Sequence, residues 1–236
     1  MPALKFALVC VLSFFTVCVA QAQETVTVDL VRIPGLAGPS GSGTAVFRGD
    51  LSALSLSEVL SVQFTDSNSG VGGSAGQFSG FDLDAIAISP DLITSATDID
   101  GLTQLNVFDF TPTGTIFNPG SQRPPVDEKL FGTDPTGMFV DADFATLDAF
   151  DSVLFTSGAV TLGDGGSIAF NLTSPLSTAN NYIYVGEVSG DPGENLLGTL
   201  RVSNVAVPEP NTVVLLGGVF GFFAFRRKRC DTKAYC

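Results

Sequence analysis

Apolar and polar residues alternate along most of the middle of this chain. The alternation continues for four to ten residues at a time, as in TVTVDLVRI and SIAFNLT, and glycine, proline or aspartate interrupts it. Successive side chains of a β-strand point to opposite faces, so a period of two is typical of strands with one buried face. Many short strands with turn residues between them predict an all-β fold, an antiparallel β-sandwich or jelly roll. The ten expected strands are residues 25–33, 44–49, 59–65, 81–89, 103–110, 152–157, 159–162, 167–173, 182–188 and 198–207.

Two connections between expected strands are rich in turn residues. The sequence GDGG at residues 163–166 contains three glycines, which accept the positive φ angles of a tight reversal. Asp191-Pro192-Gly193 is likewise typical of a turn. We therefore expect two hairpins, one joining 159–162 to 167–173 and one joining 182–188 to 198–205.

Two longer segments show no strand pattern. Residues 111–137 contain five prolines and predict a long surface loop. Residues 67–80 are rich in glycine, but they contain no lysine and no helical pattern follows them, which disfavours a phosphate-binding loop. We expect a flexible loop there.

The first 22 residues have the composition of a signal peptide. Lys5 precedes an apolar stretch from Phe6 to Ala20, and Ala20-Gln21-Ala22 places small residues at the positions that a signal peptidase recognises. The alternative is a membrane anchor, but the stretch is shorter than the about 20 residues that a span needs. We expect signal peptidase to cleave after Ala22, so that residues 23–206 form an exported body.

Acidic residues dominate this body. Two of the 24 acidic residues and six of the 11 basic residues lie in the terminal segments, so the body keeps 22 acids and 5 bases, a net charge of −17. Binding to nucleic acid or to anionic lipid depends on lysine and arginine that neutralise phosphates. The charge therefore excludes nucleic acid as a partner and favours cations.

Missing residue types exclude several kinds of catalysis. The chain has no histidine, and its cysteines lie at positions 10, 18, 230 and 236, outside the body. A Ser-His-Asp triad, a thiol nucleophile, a zinc site of histidine or cysteine and a disulfide are all excluded there. Paired carboxylates could still hydrolyse glycans, but among 22 acidic residues many pairs arise by chance, so a pair is not a specific signal. The sequence also has no tryptophan to stack on a sugar ring. We expect that the protein is not an enzyme.

Closely spaced aspartates are the best candidates for binding an ion. On a regular strand, Asp82 and Asp84 would share a face with Ile86 and Ile88, so a charged rim would continue into an apolar core face. Carboxylates that converge at a loop-rich edge suit calcium, which prefers several oxygen ligands. We predict a calcium site formed by Asp82, Asp84, Asp98 and Asp100, with Asp91, Asp191 and Glu194 as further candidates.

The same aspartates have a second interpretation. Aspartate is common in turns and at sheet edges, because it accepts hydrogen bonds from nearby backbone amides and its charge discourages edge pairing. Neither aspartate segment has the spacing of an EF-hand. Both interpretations stay open. Separately, Asn171-Leu172-Thr173 matches the acceptor of N-glycosylation, but it lies within an expected strand and receives little weight.

The character of the chain changes at its C-terminal end. Fourteen uncharged residues, Thr212 to Phe225, follow Pro208-Glu209-Pro210. They would form a helix of about 21 Å, which spans a hydrocarbon core of about 30 Å only if the bilayer thins and basic side chains reach the headgroups. A basic cluster marks the cytoplasmic side and stops the span, which leaves the body outside. This membrane stop consists of Arg226, Arg227, Lys228 and Arg229.

This tail resembles the PEP-CTERM sorting signal of bacterial exported proteins. Pro208, Glu209 and Pro210 match the motif, residues 212–225 match the transmembrane helix, and residues 226–229 match the basic cluster. The resemblance covers residues 207–229 and implies that an exosortase, a membrane-embedded peptidase, processes the chain near the motif. Members commonly end at the basic cluster, whereas this chain continues with a short cytoplasmic tail, CDTKAYC, at residues 230–236.

The resemblance also implies where the protein acts. Proteins with this signal are exported, anchored in the membrane as precursors, and then placed at the cell surface or in an extracellular matrix. We expect a structural or adhesive protein associated with exopolysaccharide or biofilm. The alternative is an extracellular carbohydrate-binding module or a two-carboxylate glycan hydrolase, which exposed aromatic residues beside a carboxylate pair would favour.

Overall fold

The described part of the chain consists mainly of β-strands. The computed structural model describes residues 23–38, 43–151, 158–188 and 198–208. Within them lie ten strands and three short 3₁₀ helices, the helices at Leu51–Ala53, Gly76–Phe78 and Ala96–Gly101. The strands are β1 (Thr25–Val28), β2 (Leu30–Arg32), β3 (Thr44–Asp50), β4 (Glu58–Asp66), β5 (Asp82–Ser89), β6 (Thr115–Asn118), β7 (Val160–Thr161), β8 (Ser167–Ser177), β9 (Tyr182–Val188) and β10 (Gly198–Ser203).

The strands form two antiparallel sheets of five strands each, which confirms the all-β prediction. Sheet A has the order β1-β10-β4-β8-β6, and sheet B has the order β2-β3-β9-β5-β7. The chain passes from sheet A to sheet B between β1 and β2, so the expected strand 25–33 is two strands. The alternation of apolar and polar residues continues from β1 into β2, because a period of two shows only which side chains face the core. It does not show which strand is the hydrogen-bonded neighbour.

One apolar core joins the two sheets. The rings of Phe64, in β4, and Phe81, just before β5, have centroids 4.2 Å apart. Sheet A contributes Val62, Phe64, Ile168, Phe170, Leu200 and Val202 to this core, and sheet B contributes Leu83, Ile86, Ile88, Val160, Ile183 and Val185.

Both expected hairpins are wrong. Residues 163–166 do form a turn, with the Gly166 amide donating to the Gly163 carbonyl at 3.0 Å. However, β7 pairs with β5 in sheet B, and β8 pairs with β4 and β6 in sheet A. Likewise β9 belongs to sheet B and β10 to sheet A. Turn residues predict that the chain reverses, but they do not tell whether the two strands pair or face each other across a core.

Two further expectations about strands are also corrected. Residues 103–110 form no strand, although Phe108 makes an isolated bridge with Leu172. The alternating aromatic residues of this segment pack on the core instead, with the rings of Phe108 and Phe110 edge-on to Phe170 at 5.8 and 5.4 Å. The expected loop 111–137 contains β6, an edge strand of sheet A. The expected strand 152–157 lies outside the described residues.

The predicted membrane segments lie at the two ends of the chain. Among the described residues, no helix is both long enough and apolar enough to cross a membrane. The predicted signal peptide, residues 1–22, and the predicted transmembrane helix, residues 212–225, lie outside the described part.

Candidate functional site

The predicted sorting motif begins at the last described residue. Pro208 is exposed, directly after residues that are bound to the outer face of sheet A. Glu209, Pro210 and the basic cluster of residues 226–229 lie outside the described part of the chain. Of the predicted site, the described chain contains the junction between the body and the motif.

A row of three polar side chains crosses the outer face of sheet A at this junction. Ser203 of β10 is the cross-strand partner of Ser61 in β4, and Ser61 is the partner of Asn171 in β8. Cross-strand partners point to the same face of a sheet. Ser61 and Ser203 are buried although the face is polar, which requires that something covers them.

The cover is the chain itself. After β10, residues 204–207, which we call the exit segment, pass across this row. The Val205 amide donates to Ser203 Oγ at 3.3 Å, and Ser61 Oγ donates to the Val205 carbonyl at 2.7 Å. The exit segment therefore runs from β10 over β4 towards β8.

Asn171 holds the end of the exit segment with both polar atoms of its side chain. Asn171 Oδ1 accepts a hydrogen bond from the Val207 amide at 2.7 Å, and Asn171 Nδ2 donates to the Val207 carbonyl at 3.1 Å. The backbone of Asn171 is fixed as well, since its amide donates to Gly114 and its carbonyl accepts from Asp109. The side chain thus binds Val207 as a neighbouring strand would.

Both ends of the described body lie at this place. The Glu24 amide donates to Asn204 Oδ1, and Ser203 Oγ donates to the Glu24 carbonyl, each at 2.9 Å. The Asn204 amide donates to the same carbonyl at 3.3 Å. Glu24 is thus bound where the exit segment begins, whereas Pro208 follows the end of the exit segment at β8.

The predicted arrangement of Asp82 and Asp84 is wrong in one respect. A register shift lies between Leu83 and Ile86, so the core face passes from Leu83 to Ile86 and Ile88. Asp84 therefore does not share a face with the two isoleucines. It is fully buried and accepts a hydrogen bond from Thr44 Oγ1 at 2.5 Å, whereas Asp82 accepts one from the Thr161 hydroxyl.

The other two candidates lie in the 3₁₀ helix Ala96–Gly101. Asp98 and Asp100 are exposed on either side of the buried Ile99. Asp191 and Glu194 are outside the described residues. In the ranges that the structure describes, no group of three or more histidine, cysteine, aspartate or glutamate side chains could hold a metal ion. The calcium site stays a prediction, without a described cluster of ligands to support it.

Asp91, a further candidate, instead helps to cover sheet B. Its carboxylate accepts a hydrogen bond from the Thr103 amide at 2.8 Å, and this bond holds the pKa of Asp91 below its usual value of 3.8. The hydroxyl of Tyr184 donates to the Asp91 carbonyl at 2.6 Å and accepts from the Ile93 amide at 3.1 Å. Burial raises the pKa of Tyr184 above its usual value of 10.0. Residues 90–103 are thereby fixed on the outer face of sheet B.

The glycine-rich segment 67–80 surrounds the guanidinium group of Arg123, a contact that the sequence did not predict. The guanidinium group of Arg123 donates to the carbonyls of Gly70, Gly72, Gly73 and Ser74, and Arg123 Nε lies 3.3 Å from Asp164 Oδ2. Carbonyl oxygens that converge in this way bind positive charge, so the segment is the opposite of a phosphate-binding loop. No local pattern indicates this contact, because Arg123 is about fifty residues away in the chain.

Close backbone contacts explain the glycines at this end of the sheets. A Cβ atom on Gly80 would lie 2.5 Å from the Gly163 carbonyl group, and one on Gly120 would lie 2.4 Å from the Gly166 amide. Larger residues at these positions would push apart the loops that contain Gly80, Gly120 and residues 163–166. The carboxylate of Asp66 also accepts hydrogen bonds from the amides of Asn68 and Gly165, each at 2.8 Å.

A cavity of about 160 Å³ lies beside β6. Its lining includes Phe110, Phe117 and Phe139, and Phe139 is 58% exposed. Among the described residues that line it, Asp148 is the one carboxylate. A second cavity, of about 350 Å³, shares Phe110 and Asp148 with the first. Among its described lining residues, the first cavity thus offers an exposed aromatic ring and one carboxylate.

The class of protein is defined by its tail: a body of two antiparallel β-sheets is followed by a segment with a sorting signal. Residues 206–229 match the family model for the PEP-CTERM protein-sorting motif, which confirms the resemblance of the tail. The motif implies that the protein is an exported, membrane-anchored precursor that an exosortase processes. No curated protein and no solved structure matches the chain.

Proposed function

We propose that this protein is a structural or adhesive component of the cell surface or the extracellular matrix, associated with exopolysaccharide or biofilm. In this proposal residues 23–206 form a β-sandwich that is exported, anchored by the C-terminal helix and delivered when an exosortase processes the chain near Pro208-Glu209-Pro210. The observation that carries the proposal is the family match at residues 206–229, which begins within the exit segment.

The position of the body's ends supports this route. Glu24 and Asn204 are hydrogen-bonded to each other, so a signal peptide and a C-terminal helix in the same membrane would hold the body by one edge. The opposite end of β4 carries Asp66 and the loops around Arg123, and would point away from the membrane. An acidic body of this kind can associate with other acidic polymers through shared divalent cations.

A carbohydrate-binding module is the second candidate, and the cavity beside β6 favours it. Phe139 exposes an aromatic face of the kind that packs against sugar rings, with Asp148 near enough to line the same cavity. If this candidate is right, purified body binds a glycan from the producing cells, and Phe139→Ala weakens that binding at least tenfold in calorimetry. Equal binding by the variant would remove the candidate.

The main proposal is tested by the mass of the protein recovered from the cell surface. We expect a chain that has lost the residues after the motif, and an added mass would show what the body is attached to. Glu209→Ala should leave the precursor in the membrane fraction, because the residue between the two prolines is changed while the body is untouched. An intact C-terminus through Cys236 in the surface fraction would contradict the proposal.

A further inference from the structure

We propose that Asn171 restrains the processing of this protein by holding Val207 on the body, directly before the sorting motif. The inference rests on the exosortase processing proposed above and adds a role for the body in it. Asn171 is a positioning residue here, because it acts on the backbone of Val207 and not on the bond that is cleaved.

The first argument is competition for backbone groups. Peptidases commonly bind a substrate as an extended strand and use its amides and carbonyls as hydrogen-bond partners. At Val205 and Val207 these groups already have partners in the body: Asn171 binds the amide and the carbonyl of Val207, and Ser61 binds the carbonyl of Val205. A peptidase that also binds the backbone of residues before Pro208 must first displace Asn171 from Val207.

The second argument is that Val207, which is bound to the body, directly precedes Pro208, so no free linker separates the body from the start of the motif. The last hydrogen bonds of the body are those to Val207, and Pro208 has no amide hydrogen with which to continue them. Release of residues 205–207 would add about 10 Å of reach. That length would move Pro208, the first residue of the motif, away from the outer face of sheet A and give an approaching enzyme more room.

The third argument is that the hold can open without unfolding the body. Residues 205–207 of the exit segment are bound by side-chain hydrogen bonds from Ser61, Ser203 and Asn171, and they lie outside the core cluster that joins the two sheets. Asn171 itself stays in place, because its backbone is part of β8. The closed and open forms therefore differ in residues 205–207, while Asn204 keeps its hydrogen bonds with Glu24.

The test compares processing rates of full-length variants in cells that contain the exosortase. Pulse-labelled precursor is followed by its mobility as it is processed. We expect about tenfold faster processing of Asn171→Ala, which loses two hydrogen bonds, and a smaller acceleration of Ser61→Ala, which loses one. Two matched controls should process like the unchanged protein. Asn118→Ala removes an asparagine from the neighbouring strand β6, and Thr173→Ala removes the glycosylation acceptor pattern while Asn171 keeps both bonds.

A second measurement shows whether the hold itself was removed. In the purified, unprocessed Glu209→Ala precursor, adding Asn171→Ala should speed hydrogen exchange of the Val207 amide and leave the core amides unchanged. Faster exchange at Val207 with an unchanged or slower processing rate would overturn the inference and leave the proposed function standing. Absence of any processing of the unchanged chain would overturn both.

Discussion

The outer faces of the two sheets are covered in different ways. On sheet B, Val46, Ala85, Ala87 and Tyr184 form an apolar surface, and Ile33, Ala96, Ile99 and Phe150 from other segments pack on it as a second core cluster. On sheet A, the outer face carries polar residues such as Thr65, Thr199 and Arg201, and the exit segment is held there by side-chain hydrogen bonds.

This difference separates a cover that belongs to the fold from one that can leave. Each buried isoleucine or phenylalanine of the sheet B cover contributes about 1.5–3 kcal/mol, and removing the cover would expose this second core cluster to water. Each hydrogen bond of the exit segment contributes about 0.5–1.5 kcal/mol net, and water can replace it when the segment leaves. Under the proposal that the exit segment is released for processing, a cover of the second kind is the one expected next to the motif.

The largest expected effect comes from placing a charge on each face. Val46 is fully buried on sheet B, and Val46→Lys should lower the free energy of unfolding by at least about 4 kcal/mol, because the new charge is buried without a partner. Thr65→Lys, at a half-buried position of sheet A, should change it by no more than about 0.5 kcal/mol. Urea unfolding of both variants measures the difference.

Both substitutions add one positive charge to an acidic body, so their long-range electrostatic effects are matched. Similar losses of stability in the two variants would show that the outer face of sheet A is as closed as that of sheet B. The distinction between a permanent cover and a removable one would then fail.

A smaller effect is expected from loosening the cover of sheet B at a single residue. Tyr184→Phe keeps the buried ring but removes the hydroxyl that bonds Asp91 and Ile93. We expect a loss of about 1–3 kcal/mol in the free energy of unfolding, with faster amide exchange in residues 90–103 and unchanged exchange at Val207. Tyr182→Phe is the control, since its hydroxyl makes no hydrogen bond to a described residue. Faster exchange at Val207 in the Tyr184 variant would show that the two covers are coupled.

The sequence predicted where most strands lie, and the physical reason is burial. In sheet A, β4 and β8 alternate between an apolar core face and a more polar outer face, and in sheet B, β3, β5 and β9 contain short apolar runs and are buried on both faces. The pairing was not predictable in the same way. The turn at residues 163–166 looks the same whether β7 and β8 pair or lie in opposite sheets, and no glycine or proline between Leu83 and Ile86 marks the register shift there.

For the site, contiguous signals were found and distant ones were missed. The sorting motif is recognisable because its parts follow one another along residues 206–229. Asn171 attracted notice only as a glycosylation acceptor, since its partner Val207 is 36 residues away and no spacing rule connects them. Arg123 and the carbonyls of the glycine-rich segment are related in the same way.

The smallest expected effect uses pH to separate the two covers. The Thr103 amide is held by the carboxylate of Asp91, whose pKa lies below 3.8. A lowered pKa means that this contribution is complete above about pH 3.8 and is lost as the pH falls through the pKa of the folded state. The Val207 amide is held by the side-chain amide of Asn171, which does not titrate.

Lowering the pH from 5 to below the folded-state pKa of Asp91 should therefore reduce the protection of the Thr103 amide relative to that of Val207, after correction for the intrinsic exchange rates. In Asp91→Asn the acceptor is neutral at every pH, so Thr103 should be less protected at pH 5 and should show little further change at the lower pH. The rest of the body is the same in both proteins, so effects of acid elsewhere act on them alike. If Val207 loses protection in parallel with Thr103, acid loosens the whole body together and the two covers respond as one unit.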